Sequence, residues 1–419
     1  MRTKKNYYMK KLFTLLSALC LSTIAVAQTY PIGHMSINFK DASRTGGYSI
    51  SGGIQMPGTG RDIGTEVYYP ATVAGNNAAV AVGQFPIVVM GHGFAMTWDA
   101  YDNIYNRLAS LGYIVLMPRT ESGIFPTPVH LDFGKDEALL ATLAMGLNTA
   151  STPSNVVVFN GKVLQKSAIG GHSMGAGASF LAAANNTTLT CLFNFAAATT
   201  NNTPNSIASA SLVTVPTLMI SGQNDSVADS TVQNSHYTGI VSPIKFHTII
   251  AGLTHCDVGN GTSSTCNIGQ ASCGNTTCNN VFFLKYMAYL EPFLRNQLYS
   301  DCNAGNTFMT LISNPSVDRA GRKIQGSIAC AATSLNNIDN DEIGSLFPNP
   351  VTDILNIHSP SKITQLQITN IIGEEIFIEN IMTLTTDGFK LDVSGLGTGI
   401  YFLNTTVGNK KINKKFVKQ

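Results

Sequence analysis

Charged residues are scarce in this chain. They make up 12% of its 419 residues, whereas an average soluble protein has roughly 25%. The net charge is only +2, so the chain lacks the basic surplus that is typical of nucleic-acid-binding proteins. Apolar residues account for 44% of the chain, which is too many for a disordered protein. We therefore expect folded domains with an uncharged polar surface and no nucleic-acid partner.

Long apolar runs are also missing, with one short exception at the N-terminus. A basic segment at residues 2–11 precedes an apolar stretch at residues 12–24, and Ala25-Val26-Ala27 has the small-residue pattern of a cleavage site. The apolar stretch is too short for a membrane span, which needs about 20 residues. The sequence therefore predicts a signal peptide over residues 1–27, an exported mature chain and no transmembrane segment.

Cysteines cluster late in the chain. Beyond the predicted signal peptide, all but Cys191 lie between residues 256 and 330. An exported protein meets oxidising conditions, so disulfides are the expected state, and these six cysteines allow 15 pairings. Zinc binding is the alternative, but the cluster lacks the C-x-x-C and paired-histidine spacings of zinc sites. Cys191 lies in an apolar run and is predicted to be a buried free thiol. We expect no metal and no cofactor.

The pattern of apolar residues divides the chain into two domains. Residues 28–330 alternate strand-like and helix-like segments, which predicts an α/β domain with a doubly wound, mostly parallel sheet. Residues 331–345 are polar and lack periodicity, which predicts a linker. Residues 346–419 contain short strand-like segments between turn residues. This last pattern predicts a small antiparallel β-sandwich.

The strongest local motif is Gly-His-Ser-Met-Gly at residues 171–175. It follows a short apolar strand-like segment and precedes a helix-like run of small residues, which is the setting of a nucleophile elbow. Glycines on both sides of the serine let neighbouring backbone approach without a Cβ clash. A chance match is the alternative in a chain with 38 glycines. The context favours Ser173 as a catalytic nucleophile at the start of a helix.

A serine nucleophile needs a histidine base, and a carboxylate must orient that base. In this architecture the acid and then the histidine follow the serine along the chain. Asp225 lies in the turn after a strand-like segment and His255 in the loop after the last one, so we select these two. His247 lies inside a strand and is predicted to be structural, and His236 is predicted to be exposed. The candidates considered are Asp225, Asp229, Asp257, His236, His247 and His255.

Acyl transfer also needs an oxyanion hole made of two backbone N–H groups. The residue after the nucleophile, Met174, is predicted to supply one of them. The loop at residues 91–95, Gly-His-Gly-Phe-Ala, follows an early strand-like segment, and we predict that Phe94 supplies the other. His92 in this loop is predicted to pack beneath it or to bond to backbone.

Together these motifs resemble the α/β-hydrolase superfamily over about residues 65–298. The sequence is most similar to the bacterial cutinase and polyester-hydrolase group, with dienelactone-hydrolase-like and chlorophyllase-like esterases as neighbours. The resemblance implies a triad of Ser173, Asp225 and His255, with oxyanion donors at Phe94 and Met174. The matching segments are residues 91–94, 171–175, 213–218, 224–228 and 254–255.

One departure from the polyester hydrolases concerns the substrate. Those enzymes carry an aromatic-clamping tryptophan on the loop after the strand that follows the nucleophile helix. The matching residues 195–202 contain none. The only tryptophan, Trp98, lies near the loop at residues 91–95, which we call the oxyanion loop. It could replace the clamp if its loop folded over the site. The sequence therefore predicts good activity on short acyl esters and weak activity on aromatic polyesters.

The C-terminal domain resembles the sorting domain of the type IX secretion system. This resemblance implies a partner in the secretion machinery and a secreted or cell-surface location. A carbohydrate-binding module is the alternative, but such modules usually show exposed aromatic residues. The segments that carry the resemblance are residues 346–350, 372–374, 391–394, 398–402 and 414–418.

The predicted function is that of a secreted, monomeric serine carboxylesterase. It would hydrolyse short-acyl or polymeric esters through an acyl-enzyme. The alternatives are a cutin- or PET-like polyester hydrolase, an acyltransferase with the same triad, and a non-catalytic surface protein on a hydrolase fold. An intact set of triad candidates argues against the last of these.

Overall fold

The structure is a computed structural model. It describes residues 29–48, 55–150, 154–263, 276–330, 345–358, 363–370, 374–379, 389–407 and 410–419. The chain splits into two compact units, Met1–Cys330 and Ala331–Gln419. The predicted signal peptide, and the predicted linker up to residue 344, lie outside the described residues. In the described ranges, no helix is long and apolar enough to cross a membrane.

A ten-stranded sheet forms the centre of the first unit. Its strands are β1 (Ile32–Tyr48), β2 (Gln55–Pro70), β3 (Gly75–Asn76), β4 (Phe85–Gly91), β5 (Ile114–Pro118), β6 (Val163–His172), β7 (Cys191–Phe195), β8 (Thr217–Gly222), β9 (Lys245–Ile250) and β10 (Arg319–Gln325). Their order is β10-β9-β8-β7-β6-β4-β5-β2-β1-β3. Neighbours from β5 to β9 pair in parallel, whereas β2 and β10 join them antiparallel. The predicted α/β class with a mostly parallel sheet is confirmed.

Helices cover both faces of this sheet. They are α1 (Asp102–Ser110), α2 (His130–Gly146), α3 (Met174–Ala183), α4 (Ser206–Ser209), α5 (Ser230–Gly239), α6 (Thr276–Tyr299) and α7 (Cys302–Ser313). Successive side chains of a strand point to opposite faces. In β4, Val88 and Met90 therefore join the apolar cluster that includes α1, α6 and α7 residues, while Ile87 and Val89 join the one with α2 and α3. Burial on both faces explains why β4 is apolar at nearly every position.

A buried ion network ties the β1–β2 hairpin to α2. The Arg61 side chain on β2 is 3% exposed and donates to both carboxylate oxygens of Asp136 and to Glu121. Arg44 on β1 also donates to Asp136, at 2.5 Å. Because these partners share buried charge, the network fixes the position of α2, which packs against α3, the helix that begins directly after Ser173.

The described cysteines of the first unit include both disulfide-bonded and free residues. Cys302 and Cys330 form a disulfide across 28 residues, which connects α7 to the segment after β10. Cys256 is also disulfide-bonded. Cys191 is a buried free thiol, as predicted.

Removing the disulfide between Cys302 and Cys330 is expected to destabilise the first unit. The bond closes a loop of 28 residues, and the chain-entropy relation gives about 3–4 kcal/mol for a loop of this size. We expect the double variant Cys302→Ala, Cys330→Ala to unfold at clearly lower urea concentration, while the esterase activity that the sequence predicts stays near wild type under native conditions. Urea unfolding followed by circular dichroism measures the difference. An unchanged midpoint would contradict a stabilising role for this bond.

The described residues of the second unit form two small sheets. The strands are β11 (Ser345–Phe347), β12 (Ile354–His358), β13 (Ile363–Asn370), β14 (Glu375–Glu379), β15 (Phe389–Asp392), β16 (Gly399–Val407) and β17 (Lys410–Lys418). They are arranged as β11-β12-β15 and β14-β13-β16-β17, and every neighbouring pair is antiparallel. Leu355 and Leu391 of one sheet share a buried cluster with Leu366, Leu403 and Phe416 of the other. The predicted small antiparallel sheets are confirmed.

Candidate active site

Ser173 lies at the sharp turn between β6 and α3. Its φ of 54° and ψ of −114° fall in a region that residues with a side chain rarely adopt. Such a conformation persists only where the surroundings enforce it. The enforcing contacts are close, because a Cβ on Gly171 would lie 2.6 Å from the Gly175 carbonyl carbon, and one on Gly175 would lie 2.3 Å from that of Gly91. The strand–turn–helix context required of a nucleophile elbow is therefore present.

Three of the predicted side chains meet in one chain of hydrogen bonds. Ser173 Oγ lies 2.8 Å from His255 Nε2, and His255 Nδ1 lies 2.9 Å from Asp225 Oδ2. All three residues are less than 10% exposed. A carboxylate only accepts hydrogen bonds, so Nδ1–H donates to Asp225 and Nε2 is left to accept the serine hydroxyl. This is the geometry of a Ser-His-Asp triad.

The sheet brings these residues together. Asp225 follows β8 and His255 follows β9, and parallel strands present their carboxyl ends at the same edge. Asp225 Oδ1 accepts hydrogen bonds from the N–H groups of Val227 and Ala228 at 2.9 and 2.8 Å, which fixes the carboxylate in its turn.

The two other candidate acids have different positions. Asp229 caps the N-terminus of α5, where its carboxylate accepts from the N–H groups of Thr231 and Val232. Asp257 is fully buried and accepts from the N–H and hydroxyl of Thr254. Asp257 therefore shapes the loop that carries His255.

The predicted oxyanion donors lie on segments that contact each other. The Gly175 N–H donates to the His92 carbonyl at 3.0 Å, which ties the loop at residues 91–95 to the first turn of α3. Met174 is the first residue of α3, so its N–H has no intrahelical acceptor. The Phe94 side chain is 44% exposed. The oxyanion role of Phe94 and Met174 stays a prediction.

Two histidines lie outside the triad, as predicted. The His92 ring is buried under its loop, 3.0 Å from the Gly93 carbonyl and 2.8 Å from the Thr120 carbonyl. His247 lies within β9, and its Nε2 is 2.8 Å from Ser221 Oγ. Both rings have structural hydrogen bonds.

The prediction that His236 is exposed is wrong. The residue is on α5 and its exposed fraction is 0%. Its ring stacks on Phe180 at 4.7 Å, and Nε2 lies 2.9 Å from Ser206 Oγ. Burial lowers its pKa to about 4. The neighbours of His236 in the sequence of α5 are polar, so the sequence does not show that His236 faces the core.

Two residues next to the triad were not singled out by the sequence. His172, the second residue of the nucleophile motif, is fully buried, with Nε2 2.8 Å from the His255 carbonyl and Nδ1 2.8 Å from the Tyr101 hydroxyl. Burial and the nearby His255 lower the pKa of His172 to about 3. The only sequence signal was its place beside Ser173, because Tyr101 is 71 residues away.

Trp98 packs beside other aromatic rings. Its half-buried indole lies 6.3 Å from the rings of both Tyr68 and Tyr105, which stack on each other at 3.9 Å. These contacts hold the indole against the apolar face of α1 and β2. They argue against Trp98 as a replacement for the aromatic clamp.

The first residue of α2 contacts the loop that would carry a clamp. The Asn201 N–H donates to His130 Nδ1 at 3.1 Å. Ile124, Phe125 and Val129, in the segment that precedes α2, have exposed fractions of 67%, 89% and 42%. Apolar side chains are thus exposed in the segment that leads to His130.

Metal chemistry has no evident donor set here. Among the residues that the structure describes, no group of three or more His, Cys, Asp or Glu side chains could hold a metal ion. The hydrogen-bonded serine, histidine and aspartate are suited to nucleophilic attack and proton transfer without one.

Comparisons with known families support these features. A family model described as PET hydrolase-like matches residues 27–271, more than half of the chain. A second, described as a secretion system C-terminal sorting domain, matches residues 345–419. A comparison with curated proteins finds no significant match. The two family matches confirm both resemblances found in the sequence, and the second indicates export to the cell surface or secretion.

Proposed function

Because the chain belongs to the PET hydrolase-like family, we propose that it hydrolyses carboxylic esters through a triad of Ser173, His255 and Asp225. The family and the sorting domain together make it a secreted hydrolase that acts on esters. The observation that most supports the triad is the pair of hydrogen bonds, 2.8 and 2.9 Å long, that joins the three side chains.

Acylation begins when Ser173 Oγ attacks the ester carbonyl. His255 Nε2 accepts the hydroxyl proton at the same time, and Asp225 stabilises the imidazolium that results. Negative charge then develops on the carbonyl oxygen, where the N–H groups of Phe94 and Met174 would bind it. The imidazolium gives its proton to the departing alcohol, and the acyl group stays on Ser173 Oγ.

Deacylation repeats these steps with water. His255 takes a proton from the water as it attacks the acyl carbonyl, and the second tetrahedral intermediate collapses to release the acid. The proton returns from His255 to Ser173 Oγ, which restores the free enzyme.

An ester panel tests this function. The mature protein is assayed on p-nitrophenyl esters with and without added acceptor alcohols, and it is treated with a fluorophosphonate that labels activated serines. We expect release of free acid and a label on Ser173, identified by mass spectrometry. Transfer of most acyl groups to the alcohol would indicate an acyltransferase. A folded protein with no ester turnover would overturn the proposal.

Substrate preference is expected to favour short acyl chains. Residues 195–202 supply no indole, and aromatic stacking contributes about 0.5–1.5 kcal/mol beyond burial, a factor of roughly 2–13 in rate. We expect the highest rates on acetyl to hexanoyl esters and slow product release from an amorphous aromatic polyester film. Preference for dodecanoyl or longer esters would contradict this prediction.

A gain-of-function variant sharpens the same test. Asn201 is exposed, and it is the backbone N–H that donates to His130, so its side chain is open to replacement. Asn201→Trp is expected to raise film hydrolysis by roughly 2–13-fold, with little change on soluble acetyl ester. Asn201→Ala is the matched control and should leave both rates near wild type. Equal effects of the two variants would argue against a missing clamp.

A further inference from the structure

Tyr101 and His172 join two parts of the active site that are far apart in sequence. The Gly93 N–H donates to the Tyr101 hydroxyl oxygen at 2.9 Å, that hydroxyl lies 2.8 Å from His172 Nδ1, and His172 Nε2 lies 2.8 Å from the His255 carbonyl. Tyr101 and His172 are both 0% exposed. The chain of contacts thus runs from the oxyanion loop to the backbone of the catalytic histidine.

The donor and acceptor properties of these groups determine where each proton lies in this series of hydrogen bonds. A carbonyl oxygen only accepts, so His172 Nε2 must carry a hydrogen and donate it to His255. Nδ1 of the neutral ring is then an acceptor, and the Tyr101 hydroxyl donates to it. The hydroxyl also lies 3.2 Å from Met96 Sδ, but a thioether sulfur is a weak acceptor. All three bonds therefore point in one direction, from Gly93 to His255.

We propose that Tyr101 and His172 are positioning residues that fix the position of the base, His255, relative to the oxyanion loop. The inference rests on the proposed triad. Asp225 and Ser173 orient the His255 ring from its two nitrogens, whereas His172 fixes the backbone from which that ring projects. Loops such as these are mobile unless they are held. A displacement of about 1 Å at a reacting group can cost roughly 10²-fold in rate.

A neutral histidine suits this position for two reasons. Its rigid ring places a donor and an acceptor at opposite ends, which lets it bridge a hydroxyl and a carbonyl. Its ring centre also lies only 4.9 Å from that of His255, so a charged His172 would oppose the imidazolium that forms on His255 during acylation. Burial keeps His172 neutral and removes this conflict.

Two substitutions at His172 test the donor to His255. Leucine removes it, whereas the side-chain amide of glutamine can reach the place of Nε2 and still donate. We expect His172→Leu to lower kcat on a soluble acetyl ester by about 10–100-fold with little change in KM, and His172→Gln to recover most of that loss. Equal activity of the two variants, at or below a tenth of wild type, would show that the donor is not what matters and would overturn the proposal.

The matched control is His247→Leu. His247 is also a buried histidine, 2% exposed and hydrogen-bonded to Ser221, but the triad hydrogen bonds do not include it. We expect its kcat to stay within about two-fold of wild type even if its melting temperature falls as far as that of His172→Leu. An equal loss of kcat in both leucine variants would indicate general destabilisation and would overturn the proposal.

Tyr101→Phe removes a single oxygen and keeps the test open if His172→Leu does not fold. It leaves the Gly93 N–H and His172 Nδ1 without this partner. The loss of about 1 kcal/mol for each hydrogen bond predicts that kcat falls by roughly 5–30-fold. NMR of the protein labelled with ¹⁵N-histidine, recorded near neutral pH, should show His172 as the neutral Nε2–H tautomer in wild type and a shifted Nδ1 signal in Tyr101→Phe. An Nδ1–H tautomer in wild type would contradict the proton assignment.

Labelling by the fluorophosphonate separates this proposal from the proposed function. If wild type is not labelled at Ser173, the triad itself is wrong. If wild type is labelled and His172→Leu and Tyr101→Phe react at the wild-type rate, the triad stands and the positioning role is refuted. We expect labelling at Ser173 in all three proteins, with slower rates in both variants.

Discussion

Ser173→Ala is expected to lower ester hydrolysis by about 10⁶-fold, the size of the loss measured when the nucleophile of a serine protease is removed. Without Oγ no acyl-enzyme can form, and His255 has no hydroxyl to deprotonate. The variant should remain folded, because alanine and serine carry the same Cβ at this strained turn and the substitution removes the hydrogen bond to His255. Initial rates on a p-nitrophenyl acetate substrate, with circular dichroism for the fold, measure both outcomes.

Ser179→Ala is a suitable control for that variant. Ser179 is a fully buried serine of the same helix α3, but its hydroxyl contacts the Ala176 carbonyl and Asn194. We expect this variant to lose some stability and to keep its esterase rate. If Ser173→Ala retained more than a tenth of the wild-type rate, the nucleophile assignment would be wrong.

Motifs confined to a few residues could be predicted from the sequence. The pattern at residues 171–175 predicts an elbow because a strand-to-helix reversal requires glycines where backbone segments touch, and the structure has these contacts at Gly171 and Gly175. The order of Ser173, Asp225 and His255 along the chain predicted that they follow strands whose carboxyl ends meet at one edge. Both inferences depend on local chemistry and on general rules of parallel sheets.

Features that depend on long-range packing could not be predicted in the same way. Met35, Ile37 and Phe39 alternate with polar residues in β1, which indicates a half-buried strand but does not show that this strand pairs with β2. Strand β10 has mostly exposed or half-buried residues and no apolar run, because it is the edge strand beside β9. Edge strands bury little, so their sequences carry a weak signal.

The surroundings of the buried histidines also depend on long-range packing and could not be predicted from the sequence. His236 and His172 both carry polar or small neighbours in sequence, yet both are fully buried. Their partners, Ser206 and Tyr101, are 30 and 71 residues away along the chain. The position of a histidine after a strand therefore makes it a candidate base, but the sequence does not show which other histidines are hydrogen-bonded near it.

Asp225→Asn is expected to lower kcat by about 10⁴-fold, as the corresponding change does in a serine protease through the wrong histidine tautomer. The structure explains why the same tautomer should arise here. Asp225 Oδ1 accepts from the N–H groups of Val227 and Ala228, and only the carbonyl oxygen of asparagine can accept those bonds. The amide NH₂ must then face His255 Nδ1 and donate to it. The proton of His255 moves to Nε2, which can no longer accept the proton of Ser173.

Asp229→Asn is the matched control, because Asp229 caps α5 and asparagine caps helices about as well as aspartate. It removes one negative charge four residues from Asp225 and should keep kcat near wild type on the same acetyl ester. ¹⁵N-histidine NMR should show His255 as the Nε2–H tautomer in Asp225→Asn and as the Nδ1–H tautomer in Asp229→Asn. Less than a tenfold loss in Asp225→Asn, or equal losses in both variants, would mean that another group orients the base. Asp257 would then be the next residue to replace, because it holds the loop of His255 through Thr254.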